Sequence, residues 1–217
     1  MPPVHPLPLP PTTVMLLSDV TDISVFEHLA FGHPLNDSER KEKLKRADAD
    51  AMLARTLKEP IEIQHHFEKA ILHAAAGDKR HAYNALGKAL EAGTKGTSSD
   101  LWAAFTACWP LAAFLVKTTT GSDPAPIVYL GEWIRFLDAV RQDASDPRMK
   151  DTAHFVLGTF KLMQLLEVGK LTHPDTQPEY ARLARGEARA LDAATRGAFA
   201  FTYWAKSRLE DYGFEGR

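Results

Sequence analysis

Glu62, His65, His66 and His73 cluster on one short stretch of the chain. On a helix advancing about 100° per residue, Glu62, His66 and His73 share one face with Lys69. That face lies opposite Ile63, Phe67, Ala70 and Ala74, so the pattern predicts that it looks into water. Glu62 and His66, four residues apart, are the candidate metal ligands on it. His73 sits about 10 Å further along the axis, too far to join His66 on one ion with bonds of about 2.0 Å. A solvated histidine strip is the expectation.

Two further spacings invite a two-metal reading. Glu62-x-x-His65 and Asp151-x-x-His154 have the form of the Glu-x-x-His pairs of di-iron bundles, with Glu27 and Glu132 as the single carboxylates. Metal ligands must converge on the bundle interior, and these faces point elsewhere. Glu132 projects opposite Leu130, Ile134 and Leu137, and Asp151 and His154 align with Gly158 and Lys161, the least apolar strip of their helix. Glu187 is the other unusual carboxylate. Its helical angle falls within the stripe Tyr180, Leu183, Ala184, Leu191, Ala194 and Ala198. A carboxylate there needs an Arg, Lys or His from a facing helix, or it is held for catalysis. Glu187 and His66 are therefore the candidate catalytic residues.

Cys108 is the one cysteine, which excludes an intramolecular disulfide framework and fits the cytoplasm or another reducing compartment. It lies in the most apolar segment, where a thiol behaves as a small hydrophobe and its pKa rises. Neither G-x-G-x-x-G, G-x-x-x-x-G-K-[ST] nor G-x-S-x-G occurs, so the usual phosphate loops and the nucleophile elbow are not written here, and no cofactor is expected.

Helices position all of these residues. Alternating β-branched runs are missing, and Gly or Pro falls at helix-like intervals. The spacing predicts a first helix over 22–31, stopped by Gly32 and Pro34. Asn36 caps a second, with Glu39 completing a capping box. Its charged start carries the pairs Glu39–Lys43 and Glu42–Arg46, and Leu44, Ala47, Ala51 and Ala54 form its docking stripe. Pro60 opens a third helix that ends at Gly77. Asp78 caps a fourth, closed by Gly93, and Ser98 or Ser99 caps an apolar fifth. Leu130, Ile134 and Leu137 mark a sixth. Asp146 and Pro147 start a seventh, apolar nearly all round as a central helix would be. Pro178 opens an eighth, bent near Gly197, before the polar ending DYGFEGR.

Within this series the phrase AAAGDKRHAYNALGKALEAG resembles the second half of a tetratricopeptide repeat. The resemblance rests on a Gly-Asp turn followed by a helix with Ala82, Leu86 and Ala89 at the family's spacing of small and apolar residues. His66 and Ala70 depart from it, standing where an aromatic residue and a glycine are expected. No second copy follows at the 34-residue period. The phrase is read as an αα-hairpin.

Residues 1–12 contain six prolines and no Lys or Arg, a composition for extended polyproline II and not for a secretory or mitochondrial address. Pro8-x-x-Pro11 has the spacing of a polyproline ligand without a flanking Arg. Leu101–Val116 is an apolar run, yet sixteen residues rise only about 24 Å against a hydrocarbon core of about 30 Å. Pro110 interrupts it, so a buried central helix is the expectation and lipid contact the lesser one.

Length and composition bound the rest. The 217 residues are 45% apolar and 25% charged with net charge −2, which suits a globular chain and gives no basic excess for nucleic acid. The reading is an all-α fold of about eight helices, as a bundle or stacked helical hairpins, in a single domain over 13–217 behind the proline-rich tail. A non-catalytic interaction or assembly protein, a subunit or adaptor bound to a protein partner or to copies of itself, is the expected function. The alternative is an α-bundle enzyme, metal-dependent, that uses His and Glu of the third, seventh and eighth helices.

Overall fold

A computed structural model describes residues 17–119, 123–171 and 175–195. Among these residues there are eight α-helices and no strand: α1 Ile23–Phe31, α2 Asp37–Leu57, α3 Ile63–Ala75, α4 Lys79–Thr94, α5 Ser98–Lys117, α6 Ala125–Asp143, α7 Pro147–Leu171 and α8 Gln177–Thr195. The expected all-α fold of packed helices is what forms. The proline-rich tail, the side chains of Leu191 and Ala194, and the segment around Gly197 and Ala198 lie outside the described residues.

Local chemistry sets most boundaries. The Asp22 side chain accepts the Ser24 N–H at the start of α1, and Gly32, at φ 83°, ends it. Asn36 and Glu39 form the reciprocal capping box at the start of α2. Three boundaries differ from the sequence reading. Ile63, not Pro60, begins α3, because Glu62 is the residue that turns from extended to helical backbone. Thr97, not Ser98 or Ser99, caps α5: its hydroxyl accepts the Asp100 N–H while Asp100 Oδ2 accepts the Thr97 N–H at 2.6 Å. Only Thr97 stands three residues before a carboxylate that can reach back. Gly93 does not close α4 but lies inside it, buried, where the helix meets α5.

Contacts gather the chain into two compact units that divide between Thr118 and Thr119. In the first, α3 and α4 form an antiparallel hairpin, α5 packs on α4 and reaches α3, and α1 and α2 each rest on α3. Its core is built around α5, whose residues from Ala103 to Val116 are all buried. Trp109, Phe105 and Leu111 have no solvent exposure, while Trp102 is half-buried at the edge. Phe26 of α1 meets Phe114 edge-on at 5.7 Å. This helix is the one among the described residues that is long and apolar enough to cross a membrane, and most of it is buried inside the protein. Cys108 is fully buried, burial pushes its thiol pKa far up, and its S–H donates to the Leu86 carbonyl.

Between α1 and α2 a buried ion pair closes the connection. Glu27 is completely buried; Arg40 Nε donates to its Oε1 at 2.6 Å, Arg40 NH2 to its Oε2 at 3.0 Å, and the Leu35 N–H to its Oε2 at 3.2 Å. In the second unit α7 lies between α6 and α8. Trp133 meets Phe160 edge-on at 5.1 Å, and Gln164 donates to the Ile127 carbonyl beside Gly131. The central placement expected of α7 holds.

Candidate functional site

The α3–α4 hairpin forms one wall of a polar concavity in the first unit. Gly77, at φ 76°, turns the chain, and the Asp78 N–H returns to the His73 carbonyl at 2.9 Å. Asp78 then caps α4 by accepting the His81 N–H through Oδ1 at 3.2 Å. Its second oxygen, Oδ2, remains free of the cap and faces two imidazoles: His81 Nδ1 at 2.7 Å and His73 Nδ1 at 3.7 Å. The two rings stack with centroids 5.1 Å apart and planes 24° from parallel. His73 is buried in the last turn of α3, whereas His81 is exposed.

His73 and His81 line a cleft of about 320 Å³ between α2, α3 and α4. Arg55 lines it from α2; His65, His66, Lys69 and His73 from α3; His81, Asn84 and Lys88 from α4. A second cavity, of about 460 Å³, opens beside His65 against Phe31, Lys43, Arg46, Asp50 and Glu68. The histidine strip is therefore not a solvated face. Helix α2 crosses it, with Asp48 receiving Lys69, and leaves His65 and His66 half-buried and His73 buried. His66 Nδ1 and His65 Nε2 are buried without a hydrogen-bond partner.

Electrostatics follow from that placement. Burial, reinforced by His65, Lys88 and Lys69, pulls His66 down to about 4, so it is neutral at pH 7. Burial likewise lowers His65 and His73. For Asp78 burial acts upward, but the backbone and side-chain hydrogen bonds from His81 outweigh it and hold the carboxyl below its usual range. Burial thus favours the neutral form of His65, His66 and His73, and Arg55 and Lys88 make no ion pair among the described residues.

The sequence candidates fall in different places. His66 lines the cleft; Glu62 is the exposed N-cap of α3, makes no capping bond and is not among the lining residues. Glu187 stands in the second unit, part-exposed, bonded to Lys161 of α7. The partner is of the expected kind, but the pair is not buried. The stripe on α8 is rotated from the expected one: Ala181 and Ala184 are buried, Leu183 is 40% exposed, and Glu187 lies at the margin. Of the two-metal set, Glu27 is taken up by Arg40, and Glu132, Asp151 and His154 are exposed. The residues that sequence spacing missed are Asp78 and His81. The signal available was His-x4-Asp-x2-His spanning a Gly-Asp turn, which a search along single helices does not reach.

Compared with known proteins, the chain matches no family model, no curated sequence and no solved structure. The tetratricopeptide-like phrase over 74–93 corresponds to the α3–α4 turn and the length of α4.

Proposed function

We propose that this chain is a non-catalytic helical interaction protein, a subunit or adaptor that docks a protein partner along α2. One observation carries the reading. Helix α2 runs for 21 residues without a single buried side chain, and its C-terminal half presents Met52, Leu53 and Leu57 at 73%, 58% and 57% exposure. An isolated polar helix gains little from propensity alone, and an apolar cluster left in water is a frequent mark of a contact surface. The helix is anchored at its start by Arg40 on Glu27 and midway by Asp48 with Lys69, which leaves its far end as a presented rod. Glu62 does not line the cleft that holds His66.

Site-specific photocrosslinking tests the reading. A photoreactive residue at position 53, in the full chain in its own cells, is expected to give one discrete intermolecular adduct. The same residue at the exposed position 80 of α4 is expected to give none. Equal, diffuse labelling from both positions contradicts the proposal. One adduct containing two copies of the chain identifies self-assembly as the docking event.

A further inference from the structure

The geometry points to a divalent transition-metal site, with zinc as the best-suited ion, formed by His73 Nδ1, Asp78 Oδ2 and His81 Nδ1 at the α3–α4 turn. This inference is independent of the docking surface on α2. The ligand atoms all lie within 4.8 Å of one another. Around a tetrahedral zinc with bonds of about 2.0–2.1 Å, neighbouring ligand atoms stand about 3.3 Å apart. The Asp78 Oδ2 distances, 2.7 Å to His81 and 3.7 Å to His73, bracket that value. An ion entering between them needs only small side-chain rotations: His81 is exposed, already held on Asp78, while His73 is fixed by its burial.

The turn supplies what such a site requires of the backbone. Asp78 divides its labour, with Oδ1 engaged in the α4 cap and Oδ2 turned to the imidazoles, so capping fixes the carboxylate without consuming the ligating oxygen. Gly77 makes the left-handed turn that brings the end of α3 against the start of α4. Two imidazoles and one carboxylate are a borderline donor set, suited to zinc and its first-row neighbours and poorly suited to magnesium or calcium, which take oxygen. With three protein ligands at least one coordination position remains. His73 and His81 also line the cleft, so that position borders a space flanked by Lys69 and Lys88, and it takes water or a small anion.

Cobalt(II) titration of the purified full chain, with zinc competition, is the test. The expected result is one equivalent of cobalt with the intense visible bands of a low-coordinate site, displaced by zinc and not by magnesium. His81→Ala removes an exposed ligand without disturbing the core and is expected to weaken binding about 100-fold or more, since even outer-shell losses cost 10–100-fold. Asp78→Asn keeps an oxygen for the α4 cap, and is expected to weaken binding while the metal-free protein stays folded. His154→Ala, on exposed α7 surface, is expected to change nothing. Zinc is also expected to raise the melting temperature of the parent chain, and EDTA to reverse it. Failure to bind cobalt, or binding unchanged by His81→Ala, overturns the inference.

Discussion

Glu27 and Arg40 show how a single pair decides a local fold. The carboxylate is fully out of water and takes three donors, two from Arg40 and one from the Leu35 backbone, so the α1–α2 connection closes around it. Removing one partner of a buried pair strands the other, at a typical cost of 3–5 kcal/mol. Arg40 keeps part of its side chain in solvent, so Arg40→Ala is expected to cost about 3 kcal/mol, near the lower end of that range, in urea unfolding. A loss below about 1 kcal/mol would mean that water replaces the guanidinium. His66 makes a different residue-scale prediction. Its folded pKa of about 4 lies below the unfolded 6.5, so the unfolded chain takes up the proton first. Stability is complete above about pH 6.5 and declines as pH falls toward 4. Burial sets the shift first, the charges of His65 and Lys69 on α3 and Lys88 on α4 add to it, and Glu91 on α4 opposes it. Melting temperatures from pH 7.5 to 5 are expected to fall less steeply in His66→Leu than in the parent chain. Parallel slopes would contradict the assignment.

Helices contribute through how closely they approach. A Cβ on Gly93 would meet Ala104 Cβ at 2.9 Å, the Asp100 carbonyl at 3.0 Å and Leu101 Cα at 3.1 Å, all on α5. Backbone cannot retreat as a side-chain tip can. Gly93→Ala is therefore expected to destabilise by about 1–3 kcal/mol, overriding the gain of about 1 kcal/mol that alanine brings to a helix interior. Gly186 in α8 has nothing within 4 Å of such a Cβ, and there the same change is expected to stabilise by about 0.5–1 kcal/mol. Paired thermal melts decide both signs. The elements themselves were largely legible in the sequence. The Asn36–Glu39 box, the Gly32 stop and the Gly77–Asp78 turn are local chemistry written within a few residues. The α8 stripe was not, because alanines pack close to α7 and the larger Leu183 is left outward. Gly93 reads as a stop in sequence and is a contact in space.

Across whole units, legibility fails for a different reason. Periodicity placed His66, Lys69 and His73 on one face of α3, and all three line the cleft, but it took that face to be solvated and put Glu62 on it. Helix α2, with no fully buried residue, covers that face: its stripe Leu44, Ala47, Ala51 and Ala54 is half-buried, and the spacing could not say which helix that stripe meets. The Glu27 partner lies 13 residues away, and His73 meets His81 only across a turn, so both needed three-dimensional proximity. The apolar run 101–116 was legible as a proline-containing helix that is mostly buried, with Trp102 half-buried at its edge. The exposed end of α2 is where the first unit departs from that economy, and the proposed function rests there. The most direct measurement is the native mass of the chain in extracts of its own cells, for the parent and for Met52→Glu with Leu57→Glu. The account predicts a parent assembly well above the 24.1 kDa of one chain and a shift of the folded variant toward the single-chain mass. A parent chain already at single-chain mass, or a variant that stays in the full assembly, would contradict it.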